Sequence, residues 1–283
     1  MTFHISGAYV VFLMSTDSYN SDFLTVMARM GARPDPDFSN KGILNTSEGL
    51  RSHGYVRVAP LMLLADMVVG MQLESLVDDW TFTTDFSFRR GFACTGNTIN
   101  AHSRILRHGK KMFIEEVNFV AQDGVSVGCS YITFLRTPLR EGESKPDIRG
   151  IRKRMAENEI PPLVEPIEDV AGVLVDDAST GRVVLHPDDS VRRPGGFVQG
   201  AIMTLVGEIA AQSFAEYHYG EPCTVLSLDA RYLIGGRSGP LTTTAEWVGE
   251  PRQGVIKVSL LDEGHDVLSC SFLIQALPCS QVS

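Results

Sequence analysis

The sequence predicts an α+β fold made of two similar units, each with one long buried helix packed against an antiparallel sheet. The first observation behind this prediction is a pair of apolar helical segments, 58–73 and 200–215, that contain one charged residue each. Apolar residues on every face of a helix indicate burial nearly all round. The second observation is that β-rich runs separated by short turn sequences follow each helix.

The two helical regions align with each other without a gap. Residues 54–66 match residues 196–208, because a glycine and an aromatic residue open both segments and an acid, Asp66 or Glu208, closes both. The similarity continues downstream through strand-like segments. This pattern predicts a tandem duplication of domain-sized units rather than a solenoid of short repeats.

We predict four regions along the chain. An N-terminal extension covers residues 1–39, the first unit residues 40–138, a charged linker residues 139–169, and the second unit residues 170–279. The basic residues of the linker, Arg152 among them, could contact phosphates, but a solvated linker is the favoured interpretation. The predicted strands are 82–88, 98–106, 111–121 and 126–135 in the first unit, and 172–175, 182–185, 224–232, 241–248, 255–261 and 267–277 in the second.

Composition argues against several classes of partner. The chain has 283 residues, a net charge of −9 and a pI near 5.3. These values disfavour nucleic acid or an anionic membrane surface as the main partner. The apolar run 8–14 is too short to span a bilayer and no basic residue precedes it, so a cytoplasmic protein is expected. Five scattered cysteines predict reduced thiols with no disulfide, and no metal or cofactor is expected.

A single acid in a buried helix requires an explanation. Burial penalises the charged form of a carboxyl group and raises its pKa toward the range useful for proton transfer. The alternative is an acid that pairs with an arginine or reaches solvent, which is the commoner role. Gly196 and Gly200 favour the catalytic interpretation, since bare backbone at a helix start lets N–H groups approach a ligand oxygen. Asp66 and Glu208 are therefore the candidate catalytic residues.

These features together resemble the hot-dog fold. The start of the second helix is similar to the phenylacetate-pathway type of acyl-CoA thioesterase, whose motif runs His-Gly-Gly, six residues, then Asp. Gln199 stands at the position of His, Gly200 and Ala201 at the two glycines, and Glu208 at the Asp. The resemblance implies a double hot-dog, with two units in one chain arranged like the dimer of single-domain relatives.

The resemblance also implies where the active site lies. In such enzymes a helix start from one unit polarises the thioester carbonyl, and a carboxylate from the other unit activates water or attacks directly. Residues 199–201 would then bind the substrate opposite Asp66, and Val58 and Ala59 would face Glu208. Pro60 removes one N–H from the first helix, so the first of these pairings is the preferred site.

The activity that the resemblance implies is hydrolysis of fatty or aromatic acyl-CoA without a cofactor. Asp229 is a further substrate-binding candidate because it recurs as Asp85 at the equivalent strand position, although each could instead pair with an arginine, Arg231 or Arg89. An exposed sheet edge would be compatible with a homo-oligomer of such chains.

Two other functions stay open at this point. A hot-dog dehydratase acting on 3-hydroxyacyl thioesters would use a histidine near the substrate, and His186 and His53 are the candidates. A non-catalytic acyl-thioester-binding protein would explain the eroded motif of the first helix. Fold alone does not decide among these functions.

Overall fold

The computed structural model describes residues 25–37, 39–93, 96–139, 141–142, 144–145, 147–157, 159–193 and 196–282. Most of the predicted N-terminal extension, residues 1–24, lies outside this part of the chain, and so does Cys94. The other four cysteines carry free thiols.

In both halves of the chain short strands precede one long helix, and four strands follow it. The elements in order are α1 (Val26–Arg29), β1 (Ala32–Pro34), β2 (Lys41–Asn45), β3 (Arg51–Ser52), β4 (Tyr55–Val56), α2 (Val58–Leu76), β5 (Trp80–Arg90), β6 (Thr98–His108), β7 (Met112–Ala121), β8 (Ser126–Thr137), α3 (Ile148–Glu157), α4 (Ile167–Val170), β9 (Val173–Asp177), β10 (Arg182–Leu185), α5 (Gly200–Tyr219), β11 (Cys223–Tyr232), β12 (Leu241–Trp247), β13 (Val255–Asp262) and β14 (Val267–Pro278). Each predicted strand corresponds to one of these strands.

Twelve strands form one antiparallel sheet in the order β1-β2-β6-β7-β8-β5-β11-β14-β13-β12-β10-β9. The order on one side of the central β5–β11 pair is repeated in reverse on the other side. Asp85 lies opposite Arg231 and Ser87 opposite Asp229 in that central pair. The α+β class and the antiparallel sheet predicted from the sequence are therefore confirmed.

The core lies between the sheet and the two long helices. Burial alternates along β7 and β13, so one face of each strand packs inward, as period-two patterning requires. Helices α2 and α5 pack against each other and against the sheet. Among the described residues α2 is the one helix long and apolar enough to cross a membrane, and 72% of that apolar window is buried. Its apolar surface is therefore largely used in the core.

The segment between the two halves departs from the predicted solvated linker at Arg152, whereas three other basic residues of the segment, Arg149, Lys153 and Arg154, are exposed as predicted. Residues 148–157 form helix α3, and Arg152 on this helix is wholly buried. Its guanidinium donates hydrogen bonds to the carbonyl oxygens of Asp35 at 2.6 Å and Ser39 at 2.7 Å. The prediction that Arg152 is solvent-exposed was wrong, because backbone carbonyls far away in the sequence accept hydrogen bonds from two of its guanidinium nitrogens.

Candidate active site

The acid of each long helix lies at the start of the other long helix. Asp66 on α2 accepts a hydrogen bond from Gln199, the residue before α5. Glu208 on α5 accepts hydrogen bonds from the backbone of Val58 and Ala59, the first two residues of α2. The structure thus brings together the residue pairs that the sequence singled out, but the two pairs differ in detail.

Two side chains from different elements hold the carboxylate of Asp66. Its Oδ1 accepts a hydrogen bond from Thr83 Oγ1 at 2.6 Å, and its Oδ2 accepts one from Gln199 Nε2 at 3.2 Å. Burial raises the pKa of Asp66 above its ordinary value, against the opposing effects of the Thr83 hydrogen bond and the charge of Arg193. A carboxyl group with a raised pKa is suited to accepting and returning a proton.

Thr83 belongs to this site, although sequence reasoning missed it. It lies on β5 where the register with β8 shifts. Thr83 pairs with Phe134, and Asp85, two residues later on β5, pairs with Thr133, which is only one residue away from Phe134 on β8. Such a bulge re-aims the side chains beside it. Threonine is common in strands, so its residue type carried no signal.

The start of α5 offers a backbone donor beside Asp66. Gln199 is the N-cap residue, and its side-chain oxygen accepts a hydrogen bond from the Ala201 N–H. The Gly200 N–H has no hydrogen-bond acceptor among the described residues. A Cβ at Gly200 would lie 3.1 Å from the terminal methyl carbon of Met62, so a side chain here would crowd the helix start. This N–H is one of the donors that the first turn of a helix leaves without an intrahelical partner.

Thr204 and Tyr232 form a wall next to Gly200. The two hydroxyl oxygens are 2.6 Å apart, and Thr204 Oγ1 donates to the Gly200 carbonyl at 3.0 Å. Since Thr204 has one hydroxyl proton, Tyr232 must donate its own to Thr204. Burial raises the pKa of Tyr232 well above its ordinary value, with a further contribution from Asp66. Tyr232 therefore stays neutral and keeps its ring against the helix start.

Glu208 occupies the start of α2 completely. Both of its carboxylate oxygens lie 2.9 Å from the Val58 nitrogen, and one lies 3.1 Å from the Ala59 nitrogen. Its side chain is buried, with 2% of the residue exposed. Burial raises the pKa of Glu208, opposed by the charges of Arg57 and Arg90 and by the two N–H groups. The backbone donors that a substrate oxygen would need are already occupied there.

The N-cap residues explain why the two helix starts differ. Gln199 caps its own helix and stands between Asp66 and the backbone of α5. Arg57, at the equivalent position before α2, forms no side-chain cap and instead donates to Glu168 and Gln212. The uncapped N–H groups of α2 are thus free to take the carboxylate of Glu208.

Asp229 lies away from these contacts, in the central strand pair. Its carboxylate accepts two hydrogen bonds from Arg89, at 3.0 and 2.9 Å. Asp85 makes the equivalent ion pair with Arg231 at 3.0 Å. These bridges fasten β5 to β11, so both aspartates have the structural partners that the sequence analysis weighed against a role in substrate binding.

The two candidate histidines of a dehydratase lie outside this site. His53 has its Nε2 2.8 Å from Oε1 of Glu216, near the end of α5. His186 is exposed. Neither forms a hydrogen bond with Asp66 or Gln199 among the described residues, which disfavours the dehydratase alternative. Among all the residues that the structure describes, no group of three or more His, Cys, Asp or Glu side chains is placed to hold a metal ion.

A cluster of arginine and aromatic side chains lies beside the start of α5. The guanidinium of Arg193 lies 4.8 Å from the ring centre of Phe82 and 5.2 Å from that of Phe197. Arg237 lies over the other part of this cluster, 3.8 Å from the Phe197 ring centre. Arg193 is also near enough to Asp66 to affect its pKa. Positive charge is therefore concentrated next to the candidate site.

Comparisons with known proteins identify the fold. No family model matches the chain, and the search of curated proteins found no match. Solved structures that resemble it over most of its length include the following three. An acyl-ACP thioesterase from Bacteroides thetaiotaomicron has a TM-score of 0.58 at 11% identity, covering 86% of this chain and 100% of that one. A 12:0-ACP thioesterase from Umbellularia californica has a TM-score of 0.55 at 13% identity, covering 84% and 93%.

The third is a hot-dog fold protein of unknown function from Alicyclobacillus acidocaldarius, with a TM-score of 0.53 at 9% identity, covering 83% of this chain and 92% of that one. At such low identity the likeness concerns the fold. The resemblance to the hot-dog fold stated from the sequence is thereby confirmed. This chain has a hot-dog, thioesterase-like fold.

Proposed function

We propose that this protein is a thioester hydrolase that acts on acyl-CoA, with Asp66 as the general base. The observation that carries the proposal is the carboxylate of Asp66, held opposite the start of α5 by Thr83 and Gln199. Structural neighbours that are thioesterases support the same reaction class. A partly exposed acid with a raised pKa, beside an unoccupied backbone donor, is suited to acyl transfer to water.

In the proposed reaction Asp66 takes a proton from a water molecule, whose oxygen attacks the carbonyl carbon of the thioester. The Gly200 N–H donates to the oxyanion that develops on the carbonyl oxygen. The carbon–sulfur bond then breaks, and the proton held by Asp66 passes to the leaving thiolate. The products are a carboxylic acid and a free thiol. Thr83 and Gln199 keep the carboxylate of Asp66 aimed at the water throughout.

Glu208 has a different role in this proposal. Its carboxylate binds the N–H groups of Val58 and Ala59 and so leaves no donor for a substrate oxygen at the start of α2. We assign it to capping α2 and joining the two long helices. The chain then has one productive site, formed by residues 199–201 and Asp66.

The arginine and aromatic cluster supports coenzyme A as the thiol carrier. Guanidinium groups bind phosphate oxygens through paired N–H donors, and the phenylalanine rings hold the planes of Arg193 and Arg237 in place. This positive charge stands out in a chain whose net charge is −9. Acyl-CoA phosphates would reach the cluster while the thioester lies at the start of α5.

We further propose that the chain is a tandem double hot-dog. Its units are residues 40–138 and 170–279, joined by residues 139–169, and the repeated strand order around β5–β11 supports this division. The strand pair would stand in for the dimer contact of single-unit proteins. Chains of this kind would associate into homo-oligomers in the cytoplasm.

The experiment that tests the activity is release of free thiol from short, medium, long and aromatic acyl-CoAs, with the matching acyl-carrier-protein thioesters in parallel. The proposal predicts multiple turnovers with at least one acyl-CoA. Absence of hydrolysis with every thioester, together with retained acyl-CoA binding, would support the non-catalytic alternative. Faster turnover of carrier-protein thioesters would keep the hydrolase and replace the carrier.

A further inference from the structure

A short loop carries Arg237, which belongs to the arginine and aromatic cluster beside the start of α5. This Arg237 loop, residues 233–240, connects β11 to β12. Arg237 is exposed, and its guanidinium lies 3.8 Å from the Phe197 ring centre. Among the described residues this guanidinium forms no hydrogen bond and no ion pair. It is therefore placed to bind an anionic group that arrives from solvent.

A buried carboxylate fixes the backbone of the Arg237 loop. Asp262, the last residue of β13, is 1% exposed. Its Oδ2 accepts hydrogen bonds from the backbone N–H groups of Arg237 at 2.8 Å and Ser238 at 3.1 Å, and its Oδ1 accepts one from Gly239 at 2.8 Å. Burial alone would raise the pKa of Asp262, but these three N–H groups and His265 hold the pKa below its ordinary value. The carboxylate therefore stays charged at neutral pH.

The side chain of Arg192 holds the same loop through a carbonyl group. Its Nη1 donates hydrogen bonds to the carbonyl oxygens of Arg237 at 2.5 Å and Gly196 at 2.7 Å. Gly196 is the residue before Phe197. A Cβ at Gly235 would lie 2.4 Å from a ring carbon of Phe197, so the loop backbone packs directly on this ring. The loop that carries Arg237 and the segment that carries Phe197 are thus tied together.

We propose that Asp262 is a positioning residue for coenzyme A, which acts by holding the Arg237 loop so that Arg237 binds a phosphate group of this ligand. The inference rests on the proposed binding of acyl-CoA. Asp262 is buried and both of its oxygens accept backbone N–H groups, so it acts through the loop and not on the ligand itself. A guanidinium binds phosphate through a rigid fork of donors, so the loop that orients the fork governs the strength of binding.

The charge of Asp262 opposes the effect that we assign to its position. A carboxylate near a phosphate group repels it, so removal of the charge alone would strengthen coenzyme A binding. Asp262→Asn also replaces one acceptor oxygen by an NH2 group, which leaves at least one of the three loop N–H groups facing another donor. The resulting displacement of the loop should weaken coenzyme A binding. The direction of the change therefore distinguishes positioning from electrostatics.

Calorimetric titration of the full chain with coenzyme A and with pantetheine tests the proposal. Pantetheine has the thiol arm of coenzyme A without the nucleotide and its phosphates, so the parent chain should bind it more weakly. Asp262→Asn should weaken coenzyme A binding about tenfold, because hydrogen bonds to charged groups are the strong ones. Asp177→Asn is the matched control, since Asp177 also accepts a backbone N–H in a turn, from Ser179 at 2.9 Å, and it should bind like the parent chain.

Turnover gives a second readout that a general loss of structure would not reproduce. Asp262→Asn should raise KM for acyl-CoA about tenfold and leave kcat within about threefold of the parent chain. Its kcat/KM for the matching acyl-pantetheine thioester should stay within about twofold, because that substrate has no phosphate for Arg237. Arg192→Lys keeps the test usable if Asp262→Asn fails to fold. It retains the charge but loses the paired hydrogen bonds to the loop and to Gly196, and should weaken coenzyme A binding several-fold.

The possible outcomes separate this inference from the proposed function. If Arg237→Ala weakens coenzyme A binding but Asp262→Asn leaves it unchanged or strengthens it, the positioning role is overturned and coenzyme A stands as the thiol carrier. If Arg237→Ala has no effect, the role of Arg237 is overturned as well. If the parent chain binds coenzyme A no more tightly than pantetheine, both the carrier and the positioning role are overturned. Binding of coenzyme A without any hydrolysis would refute the hydrolase and leave the positioning of Arg237 to be decided by the titrations of the variants.

Discussion

Replacing Glu208 by alanine tests whether its carboxylate is a structural cap. Val58 and Ala59 are wholly buried, and Glu208 is the acceptor for both of their N–H groups. Without this acceptor the two donors would be left unpaired at the start of α2. Each unpaired buried donor costs about 1–3 kcal/mol, so Glu208→Ala should lower the free energy of unfolding by about 2–6 kcal/mol.

Glu208→Gln separates the hydrogen bonds from the charge. Its amide oxygen can still accept from the start of α2, so the expected loss is about 1–3 kcal/mol, smaller than for alanine. Denaturation in urea, followed by circular dichroism, gives the free energy of unfolding of each variant. Glu246→Ala, at an exposed ion pair, is the control and should stay within about 0.5 kcal/mol of the parent.

Two results would refute the structural role of Glu208. If Glu208→Ala were as stable as the parent chain, the N–H groups of α2 would not depend on this carboxylate. If Glu208→Gln kept its stability but lost thioester hydrolysis, Glu208 would be the base that we assign to Asp66. If Glu208 is a structural cap, it does not touch the reacting atoms. Turnover per folded molecule of Glu208→Gln should then stay within about threefold of that of the parent chain.

Three further predictions concern Asp66 and its partners. Thr83→Val should lower kcat about tenfold, because Asp66 loses a hydrogen bond that favours its charged form. Thr83→Ser, which keeps the hydroxyl group, is the control. A kcat of Thr83→Val close to that of the parent chain would contradict this role of Thr83. In a plot of kcat/KM against pH, kcat/KM should fall on the acid side with an apparent pKa above 3.8, the ordinary value for aspartate. This apparent pKa should be higher still in Thr83→Val. An unchanged apparent pKa in Thr83→Val would exclude Asp66 as the titrating group. Asp66→Asn should gain stability relative to the parent chain as the pH rises. The folded pKa of Asp66 is raised, so its contribution is fully present below the unfolded pKa and is lost as pH rises through the folded pKa; urea titrations that give a difference independent of pH would contradict this.

The reciprocal positions of the two acids agree with the expectation from the resemblance to hot-dog thioesterases, and the acids themselves could be singled out because both helices are apolar with a single charge. That pattern fixes which residues are buried, and the gapless match of 54–66 with 196–208 fixes which positions are equivalent. The sequence could not show that Asp66 and Glu208 differ in use. The difference arises at the N-cap residues. Gln199 caps α5 with its own side chain, whereas Arg57 does not cap α2, and Glu208 accepts the hydrogen bonds of the first N–H groups of α2 instead.

Two other features depend on contacts that sequence spacing does not reveal. Thr83 reaches Asp66 from a bulge in β5, and the position of a bulge is decided by the partner strand. Arg152 lies in a charged segment that is typical of a solvated linker. It is buried because the carbonyl groups of Asp35 and Ser39 happen to converge on it in the folded chain.

The central claim is that Asp66 acts as the base at the start of α5, and single-turnover hydrolysis by Asp66→Asn tests it most directly. The control is Asp176→Asn, at an exposed ion pair with Arg182 on neighbouring strands. A positioned general base contributes roughly 100- to 10,000-fold, so Asp66→Asn should slow hydrolysis of the best acyl-CoA by that factor while the control matches the parent chain. Hydrolysis by folded Asp66→Asn at the rate of the parent chain would contradict the claim.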